Sequence, residues 1–145
     1  MANDFTVKID GMDEVLKKLD VKRFERDITD ELAAFGKDVE RDAKNNLSLN
    51  GTVDYGFLSN SIGSETRVPL TVSIFVHKDY SAFVEFGTGQ YAAAYVPSLE
   101  PEWQILARAF YVNGKGRTPA QPYLHPAVEK NYPELIKNLK TLIVD

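Results

Sequence analysis

Residues 23–47 read RFERDITDELAAFGKDVERDAKNNL, and the rest of the chain is organised around them. Phe24, Ile28, Leu32, Phe35, Val39, Ala43 and Leu47 recur every three or four residues. On a turn of 3.6 residues that spacing lays them along one stripe, so the stretch predicts a single amphipathic helix. At 1.5 Å per residue it is about 37 Å long. Glu25, Arg26, Asp30, Lys37, Asp38, Arg41, Asp42 and Lys44 fall off the stripe and read as a solvated face of mixed charge.

Upstream of this helix, Phe5-Thr6-Val7-Lys8-Ile9-Asp10 alternates apolar and polar like a half-buried strand. Gly11 breaks it, and residues 12–19 read as a short helix with Val15, Leu16 and Leu19 on one side. Downstream, Asn50-Gly51 ends the helical pattern. Ile62, Ser64, Thr66 and Val68 then alternate with Gly63, Glu65 and Arg67. After Pro69, Val72, Ile74 and Val76 alternate with Thr71, Ser73, Phe75 and His77, so residues 61–77 predict an antiparallel hairpin.

A short aromatic-rich run, Tyr80 to Phe86, stops at Gly87-Thr88-Gly89. Residues 90–118 hold Tyr91, Tyr95, Trp103, Phe110 and Tyr111 with no clean period, and close on Asn113-Gly114-Lys115-Gly116-Arg117, a turn by composition. Pro126 suits the first turn of a last helix, with Leu124, Val128, Leu135, Leu139 and Leu142 as its apolar face. Pro133 is expected to kink or restart that helix.

The architecture that follows is one α+β domain over residues 1–145. A small antiparallel sheet packs against a long amphipathic helix and a C-terminal helix, with a long loop or hairpin inserted at about 90–118. No internal repeat, low-complexity stretch or extended heptad pattern is present.

Composition narrows the function. At 145 residues, 43% apolar and 26% charged, the chain has ordinary globular character. The absence of cysteine removes disulfides, thiol catalysis and cysteine-held zinc, and fits synthesis in a reducing cytoplasm. No apolar run approaches the roughly 18–20 residues that span a bilayer, and Met1-Ala2-Asn3-Asp4 lacks signal-peptide character. A net charge of −4 argues against a basic nucleic-acid clamp.

Candidate chemistry is sparse. His77 alternates along a strand and His125 sits beside Pro126 at a helix start, and neither has a metal-binding spacing. Gly87-Thr88-Gly89 and Gly114-Lys115-Gly116 lack the remainder of a phosphate loop. Ser59, Ser61, Ser64 and Ser81 lie in no nucleophile elbow, and Asp27, Asp30 and Glu31 fall on the charged helix face. Glu85 stands out, an acid between Val84 and Phe86 in the most apolar short run. It is either a desolvated base, which would make the chain a small hydrolase working with Asp54 or His77, or an anchor for a backbone or an arginine. The anchor is the preferred reading.

Three stretches in order resemble one family. Thr52-Val53-Asp54-Tyr55-Gly56-Phe57-Leu58-Ser59-Asn60-Ser61-Ile62 is similar to a Val-Asp-Thr-Gly-x-Leu-x-x-Ser-Ile segment, with Tyr55 in place of Thr. Tyr80-Ser81-Ala82-Phe83-Val84-Glu85-Phe86-Gly87-Thr88 resembles Tyr-Ala-x-Phe-Val-Glu-Phe-Gly-Thr. Pro119-Ala120-Gln121-Pro122-Tyr123-Leu124-His125-Pro126-Ala127 resembles Pro-Ala-Gln-Pro-Phe-Leu-Arg-Pro-Ala, with His125 in place of Arg. The family is the tailed-bacteriophage neck protein, also called the head–tail joining or tail-completion protein. The resemblance covers most of the chain except residues 90–118.

The resemblance implies a virion protein made in the bacterial cytoplasm, without catalytic residues, cofactor or metal. It implies a homo-oligomeric ring of six or alternatively twelve subunits at the head–tail junction. Portal or head-completion proteins would lie on one side and the tail tube or tail terminator on the other, with DNA passing through without specific binding. Tyr80, Phe83, Glu85, Phe86, Gly87, Thr88, Gln121, Pro122 and Tyr123 would serve as motif or subunit-interface residues. The insertion, with Trp103 and Phe110, is expected to be an arm reaching a neighbouring subunit or ring, the alternative being a flap over its own domain. A tail terminator and a host-encoded binding module of prophage origin are the other non-enzymatic readings.

Overall fold

The computed structural model of the protein describes residues 21–50, 55–67, 70–78, 80–110 and 115–144. The expected strand at 5–10, the helix at 12–19, Thr52–Asp54, Pro69 and the Asn113-Gly114 turn lie outside them, as does the Phe110 side chain.

The apolar stripe forms α1, Val21–Asn50, a continuous helix of 30 residues. Ile28, Leu32, Phe35, Val39, Ala43 and Leu47 are all buried along it. A short α2 (Tyr55–Asn60) turns the chain into β1 (Ile62–Arg67), which pairs antiparallel with β2 (Thr71–Val76) in the register Ile62↔Val76 to Arg67↔Thr71. Alternation along β2 puts Val72, Ile74 and Val76 inside. A two-stranded sheet is marginal by itself, and α1 supplies the missing layer. Leu70, at the end of the connection, takes a left-handed φ of 61°, a conformation tolerated because its side chain is buried in the core. Helix and sheet come close at Gly36, where a Cβ would stand 2.9 Å from Val72 Cγ2 and 3.0 Å from Ser64 Cβ.

The C-terminal helix α6, Leu124–Val144, lies antiparallel along α1. Asn131 Nδ2 donates to Asp42 Oδ2 (2.9 Å), Asn138 Nδ2 to Glu31 Oε2 (3.2 Å) and Asn46 Nδ2 to the Tyr123 carbonyl (3.0 Å). Two sequence expectations are corrected here. Asp42 is not on a solvated face but 5% exposed beneath α6, because α1 is flanked by the sheet on one side and α6 on another. Pro133 does not restart the last helix, which runs through it as one element. Proline removes one backbone donor, and Pro133 is exposed, so the freed Glu129 carbonyl lies towards solvent.

Between sheet and α6 come three short helices: α3 (Ser81–Phe86), α4 (Gly89–Tyr95) and, after a 3₁₀ turn at Val96–Ser98, α5 (Pro101–Phe110). Trp103, expected within an inserted arm or flap, lies on α5. It is 7% exposed and joins the hydrophobic core with Leu99 and Ala107. Leu99, Trp103, Leu106 and Ala107 do keep helical spacing. Pro97 and Pro101 interrupt the pattern at its start, which hid it in the sequence.

Candidate functional site

The run from Tyr80 to Thr88 and the run from Thr118 to His125 lie against each other. Val84 accepts from the Gln121 N–H (2.8 Å), Thr88 N–H donates to the Thr118 carbonyl (2.9 Å), and Thr118 N–H returns a bond to Thr88 Oγ1 (2.8 Å). Gly87 makes the approach possible. Its φ of 74° with ψ of −175° is a glycine conformation, and a Cβ there would stand 2.8 Å from the Ala120 nitrogen. The Gly-Thr-Gly run thus spends its polar groups on the protein's own backbone.

Glu85 is at the centre, 0% exposed. Its Oε2 accepts the N–H groups of Tyr123 and Leu124, both at 2.8 Å, and Oε1 accepts that of His125 at 3.0 Å. A helix start leaves four N–H groups without partners inside the helix. Here three go to Glu85 and the fourth position, Pro126, has none, so one carboxylate from α3 completes the N-terminus of α6. The positive end of the helix dipole favours an anion at this place. Burial pushes the Glu85 carboxyl up from the ordinary range, while the N–H bonds from Leu124, Tyr123 and His125 pull against that.

Tyr123 is fully buried and its hydroxyl donates to the Ser81 carbonyl (3.1 Å), which ties α3 to the head of α6 a second time. Burial, with the Glu85 charge next, drives its phenol well above the ordinary range. Phe86 is buried and meets Trp103 edge-on, with ring centroids 6.5 Å apart. Trp103 in turn packs edge-on against His125 at 4.8 Å.

Of the residues singled out in the sequence, Glu85, Phe86, Gly87, Thr88, Trp103 and Tyr123 are interior to the domain. Phe83, Gln121 and Pro122 are half-buried at its margin, and Tyr80 is exposed. Asn46 and Asn50 were missed; they hold the carbonyls of Tyr123 (3.0 Å) and Pro122 (3.1 Å). The signal available was two polar amides at the end of an otherwise amphipathic helix. Among the described residues every buried side-chain nitrogen or oxygen has a hydrogen-bond partner. No helix among them is long and apolar enough to cross a membrane.

Among the described residues the two buried acids both bond to the protein itself, Glu85 at the head of α6 and Asp42 to Asn131 beneath it. Residues 10–87, 78 of the 145, match the family described as "Bacteriophage HK97-gp10, putative tail-component", and the chain belongs to that family. It is accordingly a tailed-phage structural protein, a component of the virion. The match contains the first motif and the second as far as Gly87, just before the helix that opens at Gly89. No curated protein and no solved structure is significantly similar to the chain.

Proposed function

We propose that the protein is a ring-forming neck subunit, the head–tail joining or tail-completion component that surrounds the DNA channel. The observation that carries this reading is the joint between the second and third motifs. The stretches Tyr80–Gly89 and Pro119–Ala127 resemble neck-protein segments, and here they are bonded to each other through Glu85 and through the Gln121 N–H to the Val84 carbonyl. A subunit loaded axially by a packaged head and a tail needs rigid internal joints. A buried carboxylate locking a long helix to the sheet side supplies one.

Subunit contacts then fall to residues other than the core aromatics. Leu49, Phe57 and Ile105 are exposed large apolar side chains, and they occupy different elements, as head-to-tail contacts in a closed ring require. The net charge of −4 favours passage of DNA without adhesion. Complete burial of Glu85 and the occupation of both its oxygens favour the cap over a hydrolytic role.

Light scattering on the purified protein, followed by negative-stain microscopy, tests the proposal. Closed rings of six or twelve, with a hole wide enough for duplex DNA, are expected alone or on addition of the head-completion ring. A monomer that persists beside that ring would overturn the neck assignment and turn attention to an activity at Glu85.

A further inference from the structure

Outside the joint, one further group of side chains converges. Glu100, His125 and Glu129 each offer a ligand atom, and these atoms all lie within 4.8 Å of one another. His125 Nε2 is 2.8 Å from Glu100 Oε2 and 3.6 Å from Glu129 Oε1. We propose that these three residues form a binding site for a divalent first-row transition cation of the zinc type, clipping the inserted helices to α6.

Three observations carry it. The donor set is one imidazole nitrogen and two carboxylate oxygens, with coordination positions left over for water. Tetrahedral bonds of 2.0–2.1 Å put neighbouring ligand atoms about 3.3 Å apart, and the two distances from Nε2 bracket that value. The donors also stand on fixed supports. His125 and Glu129 are one turn apart on α6, so they share a face. The imidazole is 15% exposed with its ring against Trp103. Glu100 precedes Pro101 at the start of α5, where its carbonyl accepts the N–H groups of Trp103 (3.0 Å) and Gln104 (3.1 Å).

The carboxylates respond to each other as crowded like charges do. Glu100 lies below its ordinary range, chiefly through His125, while Glu129 is pushed up by burial and by Glu100. A dication would neutralise both.

The chain has two histidines and no cysteine, so His77 is an internal reference. Untagged full-length protein is titrated with zinc chloride while imidazole resonances are followed by NMR and melting by calorimetry. The His125 resonances should shift to saturation while those of His77 stay still. At a hundredfold excess over Kd, Tm should rise by roughly 5–10 °C. Glu100→Gln and Glu129→Gln, each on an exposed side chain and checked for folding by circular dichroism, should abolish both responses. Unchanged His125 resonances, equal movement of His77, or an equal rise in Tm in the two variants would each overturn the site and leave a plain histidine–glutamate ion pair. None of these results bears on ring formation.

Discussion

The long α1–sheet–α6 body and the joint between α3 and the head of α6 are built on opposite principles. In the body, stability is spread over many buried aliphatic side chains, and each contributes through area removed from water. In the joint it rests on a few directional bonds to one carboxylate and on one glycine. Distributed packing yields gradually when trimmed. A polar joint fails when a single member is lost, because the donors left behind are buried without partners.

The largest effect should therefore come from Glu85→Ala. It strands the N–H groups of Tyr123, Leu124 and His125 and opens a cavity, a loss of about 3–5 kcal/mol in urea unfolding. Amide exchange at Leu124 should accelerate in step. A loss under about 1 kcal/mol would mean water can take over the cap, and the contrast between joint and body would fall. Gly87→Ala follows, at about 2–4 kcal/mol, since it meets both an unfavourable φ and the Ala120 backbone. Were alanine accepted there without cost, the approach of residues 118–120 would not depend on that glycine.

The two regions also differed in how much of each could be read beforehand. Periodicity reports where side chains point relative to one direction, so the α1 stripe, the hairpin and the α6 face were legible. Glu85 was visible as an anomaly, an acid in an apolar run, but its partners lie 38–40 residues away and are backbone groups, which carry no residue signature. Asp42 was assigned to solvent because a helix touched on two sides buries positions beyond its main stripe. Trp103 and its helix were not legible because Pro97 and Pro101 break the run just before it and the helix that Pro101 opens is only 10 residues long. Contacts over long separations between unlike elements remain the part that local pattern does not encode.

Within the body the position most sensitive to added volume should be Gly36. Alanine is the better helix former by about 1 kcal/mol. The added methyl must displace Val72 Cγ2 at 2.9 Å and the Ser64 Cβ at 3.0 Å, neither the end of a flexible chain. Overpacking of this kind costs about 1–3 kcal/mol, so the net loss should be about 1–2 kcal/mol, smaller than at Gly87. A stabilised Gly36→Ala protein would show that α1 can shift along the sheet, and would make the body more plastic than its packing implies.

The smallest effect, and the one that separates the regions by sign, is pH. Burial alone would raise Asp42, but bonds from Asn131, Arg41 and Lys130 hold it below its ordinary 3.8. The unfolded chain then takes up the proton first on acidification, so the contribution of Asp42 is complete above about 3.8 and is lost as pH falls through the lower folded value. Glu85 is raised above its ordinary 4.5, so its contribution is greatest below that value and declines as pH climbs through the raised one. Asp42→Asn should cost about 1 kcal/mol at neutral pH, and the difference from wild type should vanish under acid. The measurement is urea unfolding of both proteins across that range. A gap that persisted well below 3.8 would assign the loss to packing under α6 rather than to charge.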